Sequence, residues 1–498
     1  MQQNPNKVIK AVLITLIAIL AIFLRFYKVG PQMAFTYDQS RDMLDLSKIA
    51  SGKLMLTGPT TGLHGVFLGP YYYYVLLPGF LLGQGSPIVV QYWETGLLTL
   101  SLILGYLVIK ELSKKDWVNI TGLFVLAVVP GSLIEARMLW NPYLAVPTLL
   151  LSIWLLFKSQ KKAWLLIPAM FIFGLSWQTE LAYAVFLTPA FFYWIFKHSP
   201  IWKKTSQSLY SWKLILLATL ALGATLLPQA LFELKHDFIM TKSLQRALQE
   251  TTQEVGLVDV WQRRPTEMAG TLKNRLFGQD QDWLGSSLFI LTLLFSTWTL
   301  AQKSQTNREK FVGLLTILPI AAMMIQTANG GNYFEYYLAP HYLMFVLLLV
   351  IWLNKISGKK QQVFSLAVVS LYGMIALHQA INIQRDQYLF NISHQIKALL
   401  YARQHRTTDN YAIEVFVPNL QPQNYQYLNY WLAKSGQTTA ADFFRDGHHQ
   451  EYFLMWEPAA AGGSELAYKE WRQRHTTDAT CRFEHQQGII SIERCQKN

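Results

Sequence analysis

Runs of about twenty apolar residues, the length a helix needs to cross the hydrocarbon layer, centre near residues 18, 100, 127, 148, 172, 190, 222, 292, 319, 345 and 372. The pattern predicts a polytopic α-helical membrane protein of about 11 transmembrane helices. Lys110/Lys114/Lys115, Lys158/Lys161/Lys162, Lys197/Lys203/Lys204, Lys303/Arg308/Lys310 and Lys355/Lys359/Lys360 fall after every second run. The short connections between them carry almost no Lys or Arg beyond Arg137. By the positive-inside rule the basic loops are cytoplasmic, so the N-terminus is inside and everything after about residue 382 is outside.

Residues 66–83 imitate a further span, but counting them would place Lys110, Lys114 and Lys115 outside and invert every later loop. Pro70, Pro78, four consecutive tyrosines and several glycines suit short interfacial helices instead. The segment from about Lys28 to Gln91 then becomes one long outer loop, and loops of that length are usually functional. A second outer segment, Glu233 to Asp282, holds 7 Lys/Arg and 8 Asp/Glu.

After Asn382 the pattern changes. Tyr411–Val417 and Tyr452–Trp456 read as buried strands, Tyr425–Ser435 and Glu465–His475 as amphipathic helices, and Cys481–His485 with Ile489–Cys495 as a hairpin turning at Gly488. The division is a membrane domain, 1–381, and a small C-terminal α/β or α+β extracytoplasmic domain, 382–498. The only cysteines, Cys481 and Cys495, face across the hairpin at a spacing that suits a disulfide in an oxidising compartment.

Composition agrees with a lipid environment: at 52% hydrophobic, 14% aromatic and only 15% charged residues the chain is more apolar and less charged than an ordinary soluble one. The net charge of +13 lies entirely in residues 1–381, because 382–498 hold 12 Lys/Arg against 12 Asp/Glu. Orienting loop charges explain that excess, and no basic stripe with interleaved aromatics suggests nucleic acid as a partner. The N-terminal run is too long for a signal core and lacks a small-x-small cleavage pattern, so it reads as an uncleaved anchor in a plasma membrane of bacterial type.

Candidate chemistry gathers at the outer ends of the runs. Asp38 and Asp42 lie four apart, sharing a face if helical, with Arg41 as a partner. Asp38, nearer the membrane, is the favoured general base; the alternative is a hydrated helix cap with a surface ion pair. Arg137, with Asn141, is a candidate for a lipid phosphate or a snorkelling interfacial residue. Gln178 and Glu180 either bond sugar hydroxyls or form a solvated turn. Glu94 is a cavity acid or an interfacial residue. Asn329–Tyr337 leads through Tyr336 to His341, where Gly-rich backbone and aromatics suit a sugar face or a membrane belt. His64 and the Lys235-His236 pair are isolated, and no His/Cys/Asp spacing makes a metal site.

No phosphate-cradling Gly-x-x-x-x-Gly-Lys loop, Gly-x-Gly-x-x-Gly turn or nucleophile elbow occurs. Without a nucleotide site, an activated donor must arrive through the bilayer, and a polyprenyl phosphate sugar fits. Lys235 and Arg275 are further candidates for its phosphate, and no cofactor is expected, with a divalent metal left open. The rival reading is a transporter or flippase of sugar or lipid-linked sugar, which would show related halves and a midplane site.

The layout of residues 8–381 resembles the C-type integral-membrane glycosyltransferases (GT-C fold), in particular the protein O-mannosyltransferase family (glycosyltransferase family 39-like) and its bacterial relatives that move aminoarabinose from undecaprenyl phosphate. The resemblance rests on Tyr37-Asp38 after the first span, Leu63-His64-Gly65 with Gly69-Pro70-Tyr71, Arg137 to Pro142, and Tyr336-Tyr337-Leu338-Ala339-Pro340. Gln39 stands where the family has a second acid, Asn141 where it has an Asp before proline, and a basic residue before the Tyr-Leu-Leu-Pro element is missing. The resemblance implies transfer of a sugar from a polyprenyl phosphate donor to a glycan, lipid or protein hydroxyl, with Asp38 catalytic and His64, Arg137, Asn141 and Tyr336 near the substrate; the reading of the residues adds Arg41, Asp42, Glu94, Gln178, Glu180 and His341.

Overall fold

The computed structural model describes residues 5–200, 208–254, 256–278, 282–326, 331–384, 391–416, 422–436, 449–457 and 465–498. Each of the eleven apolar centres falls inside a helix. α1 (Pro5–Phe26), 22 residues long, extends about 33 Å at the usual helical rise. A connecting segment carries α2 (Tyr37–Ala50) and α3 (Tyr71–Leu82) before α4 (Pro87–Leu112). Then follow α5 (Asp116–Val128), α6 (Pro130–Ala136), α7 (Ala145–Ser159), α8 (Leu166–Trp177), α9 (Leu181–Lys197), α10 (Trp212–Ala224), α11 (Leu227–Lys235) and α12 (Ile239–Glu254). The helical part ends with α13 (Leu257–Phe277), α14 (Asp282–Ala301), α15 (Asn307–Ile325), α16 (Tyr342–Lys355) and α17 (Gly358–Gln384).

Among the described residues, five helices are long and apolar enough to cross a membrane, or seven if the bent pairs α5/α6 and α10/α11 each count as one span. α3, α8, α9 and the apolar part of α14 are shorter. The 12 residues of α3 extend only about 18 Å, too little to cross the hydrocarbon layer, so residues 66–83 do not form a span.

The bend of 49° between α5 and α6 has a local cause. Pro130 lacks the amide that would bond the Leu126 carbonyl. Ser132 donates to that carbonyl at 2.9 Å, and the buried Arg25 guanidinium takes the Ala127 carbonyl at 2.7 Å and the Ser132 hydroxyl at 3.0 Å. The broken ladder is thus satisfied from within the protein, as a low-dielectric setting demands.

α18 (Ile392–His405) opens the C-terminal part, which continues with β1 (Tyr411–Phe416), α19 (Gln423–Lys434), β2 (Glu451–Trp456), α20 (Glu465–Thr476), β3 (Ala479–Gln487) and β4 (Ile490–Lys497). The sheet order is β1-β2-β4-β3, with β1 parallel to β2 and the other pairs antiparallel. The expected strands and helices form close to their expected bounds; Val417 lies outside the described residues, and α18 is additional. β3 and β4 turn at Gly488, whose φ of 60° suits glycine, and Cys481 is paired with Cys495 in register and disulfide-bonded. Gln32 donates to the Ile383 carbonyl at 2.9 Å, Ala34 bridges Asn391, and the Ile392 amide donates to the Met33 carbonyl at 3.0 Å. The sheet-bearing part is therefore seated on the segment between α1 and α2.

Candidate active site

α2 begins where a local device specifies it. The Gln39 side-chain oxygen accepts from the Thr36 amide at 3.0 Å and the Thr36 hydroxyl at 2.7 Å, while its amide nitrogen donates to the Leu139 carbonyl at 2.9 Å. Gln39 thus caps α2 and anchors it to the helical bundle. One turn of helix then presents Asp38, Arg41 and Asp42 together. Arg41 reaches Asp42 Oδ1 through Nε at 3.0 Å and a terminal nitrogen at 2.8 Å, and its other terminal nitrogen reaches Asp38 Oδ1 and the Thr60 hydroxyl, each at 2.9 Å.

The two acids differ in surroundings. The Asp38 side chain is 42% exposed, Arg41 15% and Asp42 1%. Burial pushes the Asp42 carboxyl up to about 7, against the pull of Arg41; the Tyr73 hydroxyl lies 3.1 Å from both Asp42 Oδ1 and Asp45 Oδ2. Because the folded chain then binds more protons than the unfolded one between roughly pH 4 and 7, this group makes stability fall as pH rises through that window. Asp42→Asn is expected to remove that part of the slope, up to about 4 kcal/mol, measurable by denaturation of both proteins across pH 4.5–7.5. Parallel pH dependences for the two proteins would contradict the buried acid.

Asp38 and Arg41 open onto a cavity of about 550 Å³. Its polar lining is Asp38, Arg41, Thr60, Asn141, Glu180 and Gln326. Its apolar lining includes Leu181, Ala182, Val185 and Phe186 from α9 and Met323 from α15, while Trp140, Phe334, Tyr336 and Tyr337 supply aromatic rings. Trp140 meets Tyr336 edge-on with ring centroids 4.9 Å apart.

The loop from Thr57 to Gly69 forms another wall and holds Thr60 by backbone bonds: Gly58 to Leu68 O at 2.7 Å, Leu68 to Pro59 O at 2.9 Å and Thr61 to Val66 O at 3.0 Å. A Cβ on Gly58 would run into the Gly69 carbonyl oxygen. Gly58→Ala is therefore expected to cost about 1–3 kcal/mol by overpacking and to pull Thr60 from Arg41, read as a lower unfolding temperature; an unchanged midpoint would contradict it.

The sequence candidates divide sharply. Asp38, Arg41, Asn141, Glu180 and Tyr336 line the cavity. Asn141 also donates to the Thr179 carbonyl at 2.7 Å, which fixes the turn carrying Glu180. Glu180 accepts from the Ala182 amide at 3.0 Å, and burial pushes its carboxyl up to about 8.

Arg137 is turned elsewhere: it donates to the carbonyls of Leu24, Arg25 and Tyr27 at 3.1, 3.3 and 2.9 Å and to Gln32 Oε1 at 2.9 Å. It satisfies the carbonyls that end α1, a use the expectation of a phosphate ligand did not include. Arg275 is buried, its guanidinium over the Tyr143 ring at 5.6 Å and its Nε 3.3 Å from a Glu335 oxygen. Lys235 is exposed at the end of α11, and His64 is exposed beside the loop wall. None of these four lines the cavity.

Gln178 accepts from the Tyr71 amide at 3.1 Å and donates to the Thr225 carbonyl, so it joins α3, α8 and the α10/α11 bend rather than facing a ligand. Glu94 is buried and accepts from the Trp140 amide at 3.3 Å. His341 is buried, 3.3 Å from the Tyr183 hydroxyl. Asn329 and Gly330 lie outside the described residues. Thr60, Gln326 and the α9 wall escaped the sequence reading, since only chain packing brings them beside Asp38. Among the described residues no three His, Cys, Asp or Glu side chains form a metal-ligand group.

The chain shares its overall fold with solved proteins of the GT-C class, the class that the sequence resembles. ArnT from Cupriavidus metallidurans bound to undecaprenyl phosphate matches with a TM-score of 0.61 at 11% identity, over 97% of each chain. The apo state of the same protein matches with a TM-score of 0.61 at 10% identity, again over 97% of each chain. The apo Archaeoglobus fulgidus oligosaccharyltransferase gives 0.49 at 10% identity, over 89% of this chain and 65% of that one. No protein-family model and no curated protein matches the sequence.

Proposed function

We propose that the chain is a glycosyltransferase that moves a sugar from a polyprenyl-phosphate-linked donor to a hydroxyl of a glycan, lipid or protein acceptor. The observation that carries this reading is the mixed lining of one cavity: a partly exposed carboxylate and a guanidinium together with apolar side chains of α9 and α15. An amphiphile whose sugar and phosphate meet the charged residues and whose isoprenoid meets the apolar ones fits this lining. The fold shared with ArnT bound to undecaprenyl phosphate supports that donor class.

In this mechanism an acceptor oxygen attacks the anomeric carbon as the bond to the phosphate oxygen breaks. Asp38 takes the acceptor proton, and polyprenyl phosphate leaves with the bonding pair. Arg41 is the cation among the described cavity-lining residues, so it replaces Arg137 as the group that meets the phosphate. Its terminal nitrogen, held by Asp38 and Thr60 at rest, turns to the anion when the donor enters, and Asp42 keeps the rest of the guanidinium in place. Positioning and charge stabilisation supply most of the rate.

The alternating Lys-rich loops support eleven spans, a cytoplasmic N-terminus and a site facing the extracytoplasmic side of a bacterial plasma membrane, with the domain boundary near residue 382. The decisive test incubates the purified protein with a panel of polyprenyl phosphate sugars and acceptor extract and follows loss of the glycosyl group by mass spectrometry. One donor should be converted to free polyprenyl phosphate. Translocation across a vesicle of an intact donor, without any cleavage, would instead establish the flippase.

A further inference from the structure

The acid-bearing turn of α2 is held from the far end of the chain. The Phe35 carbonyl, three residues before Asp38, accepts two side-chain amides: Gln395 of α18 at 3.1 Å and Asn424 of α19 at 3.2 Å. Phe35 is fully buried, Gln395 and Asn424 nearly so. The neighbouring contacts extend this hold, with the Ile392 amide on the Met33 carbonyl at 3.0 Å, Tyr427 donating to the Gly85 carbonyl at 2.7 Å, and the Phe35 and Tyr427 rings 6.1 Å apart. Behind the clamp, buried Glu457, just past β2, accepts from the Tyr425 hydroxyl at 2.8 Å and lies 3.5 Å from the Gln395 amide nitrogen, which orients that amide.

The geometry points to Gln395 and Asn424 as positioning residues that lock the N-terminal turn of α2 and so set where the Asp38 carboxylate stands in the cavity. Two convergent donors on one carbonyl are a specific arrangement. The carbonyl lies just before the capping residue Thr36, so it needs a partner once buried, and a single amide would satisfy it. The second amide, drawn from a different helix, fixes the direction of the peptide plane as well as its satisfaction. From the other side Gln39 ties the same turn to Leu139. The turn is therefore gripped between the helical bundle and the sheet-bearing part, and tenths of an ångström at the reacting groups matter for transfer. On this view the C-terminal part is a component of the catalytic apparatus rather than a cap.

The inference rests on the transferase reading for its kinetic consequence, but it has a readout that does not. In Gln395→Met/Asn424→Leu, which keeps shape and removes both donors, the amides of residues 38–41 should exchange with deuterium at least tenfold faster. Amides in α4 and α16 should be unchanged. With a working donor, kcat should fall about tenfold or more while the KM for donor stays within twofold, and each single variant, retaining one amide, should recover most of the rate. Unchanged exchange at 38–41 would overturn the clamp. Faster exchange with wild-type kcat, or a kcat loss matched by a loss of folded protein, would overturn the positioning role. Should the wild-type chain cleave no polyprenyl phosphate sugar, the transferase reading fails and the exchange result alone decides the clamp.

Discussion

Asp38→Asn is expected to lower kcat for sugar transfer by about 10³-fold, within the range a well-placed general base contributes, while the donor KM is unchanged or lower. The direction of the second effect follows from the ion pair: the terminal nitrogen of Arg41 that holds Asp38 at 2.9 Å is released to the phosphate once the carboxylate is an amide. Folding should be little affected, because the Asp38 side chain is 42% exposed and Arg41 retains Asp42. Initial rates over a donor series, with a thermal melt alongside, read both quantities. A kcat within tenfold of wild type would remove Asp38 from the chemistry.

Arg41→Ala should act in two ways at once. Losing a charged donor to phosphate is worth about 1.5–3 kcal/mol, which is a rise of roughly 10- to 100-fold in donor KM. The same change leaves Asp42 buried without its cation, a loss that for buried pairs reaches about 3–5 kcal/mol, reduced here because Asp42 already takes up a proton readily. The melt should therefore fall and recover at lower pH, where Asp42 is neutral. Arg41→Lys should restore part of the donor affinity and little of the stability, since an ammonium cannot span Asp42 and Asp38 as the planar fork does. An Arg41→Ala protein with wild-type donor KM would send the phosphate elsewhere.

The parts of the fold that were legible in the sequence are those with a local cause. The apolar runs became helices, the hairpin around Gly488 formed with its disulfide, and the acids placed four apart met on one face of α2 with Arg41 between them. What the local pattern could not show was the surroundings of polar residues whose partners are distant in sequence. Arg137 stands at the end of a run as an interfacial cation would, but the carbonyls it satisfies lie at and just past the end of α1, over 100 positions away. Gln178 reads as a sugar-binding amide until the Tyr71 amide and Thr225 carbonyl are seen beside it. Gln395 and Asn424 gave no local signal, because the carbonyl they share is 360 and 389 positions away. Helix length was also not legible: runs near 172 and 190 are apolar throughout, yet α8 and α9 are among the shorter apolar helices.

Asp38 as a base and Asp38 as a nucleophile would both be abolished by the amide substitution, so the stereochemistry of the product separates them. The most direct measurement is the anomeric configuration of the transferred sugar, read by NMR from a donor of known configuration. A single displacement with Asp38 removing the acceptor proton predicts inversion; retention would require a sugar bound covalently to the protein and would contradict the account.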